Sequence, residues 1–124
     1  MPSMLIPFIL LTVFLPANFT ALVTPMLDSP NETIMAFRYE QNSTGLYVQD
    51  QVPIKIIYER YREVAFEYPK GNKLTIHPHH EICQPSVEDL QIMKDNNRNI
   101  EGIVCNGTVM FFDRYGATPE VKET

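Results

Sequence analysis

The sequence predicts a small α+β domain, a mixed β-sheet with one well-marked helix against it. Three observations lead there. Apolar runs of strand length recur between polar turns. A single stretch carries the start signals of a helix. Ten prolines in 124 residues remove too many backbone donors for a long-helix bundle. The length allows one domain, and 44% hydrophobic with 20% charged residues suits a chain that builds a core. A formal net charge of −5 argues against a nucleic-acid partner, which calls for a basic surface to meet phosphate.

Residues 33–39, TIMAFRY, are a short apolar run with a β-branched start and read as a strand. The polar 40–45, EQNSTG, suits a hairpin turn, and 46–52, LYVQDQV, partly alternates as the returning strand until Pro53. Residues 54–63, IKIIYERYRE, fit two readings: Ile56, Ile57, Tyr58 and Tyr61 form a helix face, or the stretch starts as strand. VAFEY at 64–68 reads as strand, PKGN at 69–72 as turn and KLTIH at 73–77 as strand. Pro85 and Ser86 open the helix. Ser86 caps the free amides of its first turn, and Asp89 supplies the reciprocal half of a capping box. Leu90, Ile92 and Met93 face inward as the helix runs to about residue 97, and DNNRN at 95–99 is its polar exit. Strands at 100–105 and 108–113 flank Asn106-Gly107, the strongest short hairpin signal in the chain. The connection from strand 73–77 through the helix to strand 100–105 is long enough for a right-handed crossover.

The expected organisation is an uncharged hydrophobic segment at 1–27, a domain at 28–116 and a polar tail at 117–124. No Asp, Glu, Lys or Arg precedes Asp28. The apolar run 4–15, MLIPFILLTVFL, is too short for a membrane-spanning helix, which needs roughly 20 residues. Its length suits a signal-peptide core or a buried helix, and membrane association through 4–15 stays open. No basic residue precedes it, and Leu15 and Phe19 fall where a cleavage site wants small residues. Asn18, Asn31, Asn42 and Asn106 each begin an Asn-X-Thr sequon, the pattern of a secreted glycoprotein. Cys83 and Cys105 pair in an oxidising compartment and stay thiols in a reducing one. Cytoplasmic and secreted or membrane-associated locations both remain open.

All three histidines fall in one window, His77-Pro78-His79-His80. On a strand end, residues i and i+2 point to the same side, so His77 and His79 aim at one point and His80 elsewhere. Two neutral imidazoles at that spacing make half of a zinc site. Asp89, in the first turn of the helix that follows the loop, is the natural third ligand. A P-loop, a dinucleotide fingerprint and a nucleophile elbow are all missing, which argues against those enzyme classes.

The stretch LTIHPHHEICQPSVEDL resembles the signature of JAB/MPN/JAMM metalloproteases, H-x-H-P, a loop, then S-x-x-D. PSVEDL is especially similar to RadC-type members, and IEGIVCNGTVMFFD to the strand–turn–strand that follows the helix in these domains. The resemblance covers residues 73–113. It implies a JAB/MPN-like, cytidine-deaminase-like sheet with a flanking helix and a zinc-dependent hydrolase of peptide or isopeptide bonds. It further implies Zn2+ on His77, His79 and Asp89, and Ser86 hydrogen-bonding the oxyanion. The resemblance also implies a general base, a glutamate on an early strand. Glu32 is the first choice, in a segment similar to the first hairpin of small JAB-like domains, and Glu40 the second. A glycan on Asn31 would crowd a site served by Glu32, so Asn31 is expected to be unmodified. The implied partner is a peptide or a ubiquitin-like protein substrate. Two departures stand out: the loop from His79 to Ser86 is one residue shorter than usual, and the expected proline after the second histidine is His80. A catalytically inactive JAB-like interaction module is one alternative. A secreted or membrane-tethered glycoprotein held by a Cys83–Cys105 disulfide is the other.

Overall fold

The computed structural model describes residues 11–123. Their strands are β1 (Val13–Leu15), β2 (Met35–Asn42), β3 (Gly45–Val52), β4 (Lys55–Arg60), β5 (Glu63–Glu67), β6 (Lys73–Pro78), β7 (Glu101–Cys105), β8 (Thr108–Phe112) and β9 (Val121–Glu123). The α-helices are α1 (Phe19–Val23), continued by a 3-10 turn over Thr24–Asp28, and α2 (Val87–Asp95). Seven strands form one mixed sheet in the order β8-β7-β6-β2-β3-β1-β9, and β4-β5 form a separate hairpin. This is the small α+β architecture that the sequence predicts.

Alternation along the strands sorts side chains onto two faces. Leu74 and Ile76 of β6 and Val104 of β7 join Phe37, Phe19 and Val23 in one buried cluster under α1. The intervening residues face the other way. Ile103 and Cys105 of β7 pack with Phe112 and with Met93 of α2. His77 pairs with Ile103 across the parallel β6–β7 ladder, so His77 shares the α2 face. The connection from β6 through α2 to β7 is therefore a crossover between adjacent parallel strands, as its length predicts.

Several local expectations are corrected. The turn after β2 is only Ser43-Thr44, because the Asn42 carboxamide accepts from the Thr44 amide at 2.8 Å and replaces part of a longer loop. Of the two readings of residues 54–63, the strand is the one found. These residues form β4, a Tyr61-Arg62 turn with Arg62 in the left-handed region (φ 64°), and the start of β5. β4 leaves Ile57 61% exposed, which is why its apolar pattern fits neither a buried strand nor a helix face. Within α2 Met93 is buried and Leu90 packs partly buried beside it, whereas Ile92 is half exposed.

Residues on both sides of position 27 share one core. Val13, Leu15, Phe19 and Val23 are buried in the larger cluster. β1 pairs in parallel with both β3 and β9. The polar tail thus contributes a strand, held by the Val13 amide to the Glu120 carbonyl at 2.8 Å and by the Thr20 hydroxyl to Glu123 at 2.6 Å. Of the apolar run, positions 4–10 lie outside the described residues, and the remainder supplies β1. No described helix is long and apolar enough to cross a membrane. Cys83 and Cys105 are joined by a disulfide with Cα atoms 5.6 Å apart.

Phe19 is 1% exposed and stacks at a tilt on Phe37, with ring centroids 4.8 Å apart. Replacing it with alanine is expected to cost about 3–5 kcal/mol in urea denaturation of the full chain. A chain beginning at residue 28 should lose cooperative unfolding altogether, and an unchanged midpoint in either protein would contradict this packing.

Candidate metal centre

Three donors from two elements meet at the C-terminal end of β6. His77 is on β6, His79 follows it, and Asp89 is in the first turn of α2. Nε2 of His77 lies 3.4 Å from Asp89 Oδ1 and 2.9 Å from His79 Nε2. Nε2 of His79 lies 3.2 Å from Asp89 Oδ2. One carboxylate oxygen faces each imidazole, and one donor atom from each of the three residues lies within 4.8 Å of the others, close enough to share a single cation. The side chains are only 14–19% exposed, and no other described trio of His, Cys, Asp and Glu is as convergent.

The helix start explains the placement of the carboxylate. Ser86 Oγ accepts from the Asp89 amide at 3.0 Å, and Asp89 Oδ2 accepts from the Ser86 amide at 2.9 Å. This reciprocal box satisfies two free donors of the first turn and fixes the rotamer of Asp89. The same carboxylate then faces the imidazoles, so the capping geometry also presents Asp89 to the candidate metal position. The shortened His79–Ser86 loop leaves Asp89 in reach of both histidines. Partial burial works against ionisation of Asp89, but hydrogen bonds with His77 and His79 outweigh it and hold the carboxyl far below its usual range. His79 is shifted upward, first by its hydrogen bond to Asp89, against the opposing effect of burial. A negative pocket that draws protons onto imidazole also draws a cation.

Two cavities meet at these residues. An open cleft of about 870 Å3 exposes His79, Ser86 and Glu32 between the 80–85 loop, the residues before β2 and the β4–β5 turn. An inner cavity of about 170 Å3 reaches His77, Asp89 and Glu32 beneath β5 and α2. Glu32 borders both, and its charge reaches His79. The antiparallel β2–β6 register explains this: Met35 pairs with Ile76, so the residues before Met35 run beside those after Ile76. The same register excludes Glu40, which lies beyond the Arg38–Lys73 pair at the far end of β6 and is exposed. His80 sits exposed on the cleft rim, outside the donor trio.

The structure adds one residue that sequence reasoning missed. Glu101 opens β7 on the α2 face and is 3% exposed. Its Oε2 accepts from the Thr75 amide at 2.9 Å and from the Thr75 hydroxyl, while Oε1 has no hydrogen-bond partner among the described residues. An acid inside the apolar run IEGIVC was the signal that could have found it.

No protein-family model and no curated protein matches this sequence. Several solved structures match the fold, among them the following two. One is described as JAMM, a metalloprotease-like zinc site in the proteasome and signalosome. It is 17% identical with a TM-score of 0.50, over 91% of this chain and 98% of that one. The other is a JAB1/MPN domain protein from Archaeoglobus fulgidus, 16% identical with a TM-score of 0.52, over 92% of this chain and 96% of that one. The chain has the JAB/MPN fold, with a candidate His77–His79–Asp89 metal group at its sheet end.

Burial pushes the Glu101 carboxyl up to about 8, against the opposing hydrogen bonds from Thr75 and the charge of Arg98. An unfolded glutamate titrates near ~4.3. Between these values the folded state holds a proton that the unfolded state has lost, so this group's contribution to stability falls as pH rises. Glu101→Gln removes that slope. Thermal unfolding should show the variant gaining on the wild type steadily from about pH 5 to pH 8. A constant difference would contradict the protonated, buried acid.

Proposed function

We propose that this chain is a zinc-dependent hydrolase of peptide or isopeptide bonds. The observation that carries the reading is the convergence of His77, His79 and Asp89 beside an open cleft and an inner cavity that Glu32 also borders. The donor set fits zinc: two imidazoles and one carboxylate leave a fourth position, the composition of a catalytic rather than a structural site.

Each residue then has a task. His77 and His79 bind through Nε2, and Asp89 binds through the carboxylate that the capping box orients. A bound Zn2+ supplies Lewis acidity, activating water near neutral pH and polarising the scissile carbonyl. Glu32 takes the proton of the attacking water and delivers it to the leaving amine. Ser86 Oγ already accepts from the Asp89 amide, so its hydroxyl proton is left to donate to the oxyanion. Leu27, Pro30, Ile82 and Val87 give the cleft apolar walls, with Tyr61 and Arg62 at its edge. A concave site of this volume and lining suits an extended peptide segment.

One observation favours a second reading, the secreted glycoprotein. The Cys83–Cys105 bridge is formed, and the four sequon asparagines are exposed. That reading leaves the convergence of three partly buried donors without a cause. An inactive interaction module likewise has no use for a fixed carboxylate between two imidazoles.

Glu32→Gln tests the assignment, because it removes the base and keeps the shape. The variant should bind zinc like the wild type and cleave model peptide and isopeptide substrates at least 100-fold more slowly, the lower range for a positioned base. Full hydrolysis by Glu32→Gln would place the base elsewhere. Zinc retained by a His77→Ala/Asp89→Ala variant would overturn the site itself.

A further inference from the structure

We propose that the Cys83–Cys105 disulfide positions the metal ligand His79, through the main-chain carbonyl of Ile82, and so ties metal affinity to thiol oxidation. The inference rests on the metal-site reading above and deepens it.

The His79 ring has two anchors. Its Nε2 faces His77 and Asp89, and its Nδ1 lies 3.0 Å from the Ile82 carbonyl oxygen. A carbonyl only accepts, so Nδ1 carries a proton, and Nε2 is the nitrogen left to give up its proton and supply a lone pair when a metal binds. Of the two neutral tautomers, the Ile82 contact selects the ligating one. Such outer contacts to a ligand histidine orient the ring and raise its basicity.

The Ile82 carbonyl lies in a stretch that cannot hold itself in place by packing. Residues 80–84 are all exposed, and the Ile82 side chain is 62% exposed. What fixes this stretch is its next residue. Cys83 is bonded to Cys105, which closes β7, is 1% exposed, and packs among Met93, Ile103 and Phe112. Asn106 adds a side-chain contact to Cys83 Sγ at 3.4 Å. The His79 main chain is tied to the same strand, its amide donating to the Val104 carbonyl at 3.0 Å. Both the ring's backbone and the carbonyl that orients it are thus referenced to β7, one by a hydrogen bond and one by a covalent bond.

Cys83 is exposed, so a dithiol can reach the bridge. Exchange passes two electrons and two protons from the dithiol to the bridge. Two protein thiols form, and the reductant becomes its own disulfide. The 80–84 stretch is then released, the Ile82 carbonyl leaves Nδ1, and the ring regains its second tautomer. Loss of an outer contact of this kind weakens metal binding about 10- to 100-fold.

The test uses the full chain and Zn2+, with affinity read by competition against a chromophoric chelator. Cys83→Ser/Cys105→Ser removes the bridge without adding thiols that could themselves ligate. It should bind zinc at least about ten-fold more weakly than the bridged protein. The His79 Nδ1 proton should be seen by imidazole 1H–15N NMR of the metal-free bridged protein, held on the Ile82 carbonyl, and should be lost to solvent exchange in the variant. A second variant guards against loss of folding: one glycine inserted between Ile82 and Cys83 keeps the bridge but displaces the carbonyl, and should weaken zinc similarly. Tight zinc binding equal in all three proteins overturns this inference and leaves the metal site standing. Failure of the bridged protein to bind zinc overturns both. If the double-serine variant unfolds, the insertion variant decides.

Discussion

The reciprocal hydrogen bonds between Ser86 and Asp89 are the constraint on which the site depends. They end the loop after β6, start α2, and hold a carboxylate in one rotamer at the point where two imidazoles arrive. A free aspartate on a helix start would have several rotamers, and its ordering would cost entropy when a ligand bound. Here that ordering accompanies helix formation. One motif, Ser-x-x-Asp, is thus both a local folding signal and part of the candidate metal group.

The sheet supplies the rest of the site. Parallel pairing of β6 with β7 needs a crossover, and the crossover helix lands on the face where His77 points. Antiparallel pairing of β6 with β2 carries the segment before Met35 past the same strand end, and Glu32 with it. Burial on the opposite face, under α1, makes the register costly to slip, since a one-residue shift would turn His77 into the core. The packing of the N-terminal residues against β3 and β9 is therefore coupled to a site that they do not touch.

Much of this was legible in the residues. The strand–turn alternation predicted the mixed sheet, and Ser86 with Asp89 predicted the helix start to within a residue. His77, His79 and Asp89 were named from i, i+2 geometry and the capping pattern, and the structure brings their donor atoms together. The failures have physical causes. The stretch 54–63 carries apolar residues on an exposed hairpin, so periodicity had no burial to report. The strands β1 and β9 are three residues each and gain their stability from pairing across the length of the chain, which no local pattern records. The acid at Glu101 was overlooked because it interrupts an otherwise apolar strand that reads well without it.

The most direct test is elemental zinc analysis of the purified full chain, beside His77→Ala/His79→Ala. The full chain is required because Val13, Leu15, Phe19, Val23 and Met26 belong to the core. One zinc per chain, lost in the double variant while the fold persists, is the expected result. A folded wild type without zinc, or zinc retained by the double variant, would contradict a metal centre at the end of β6.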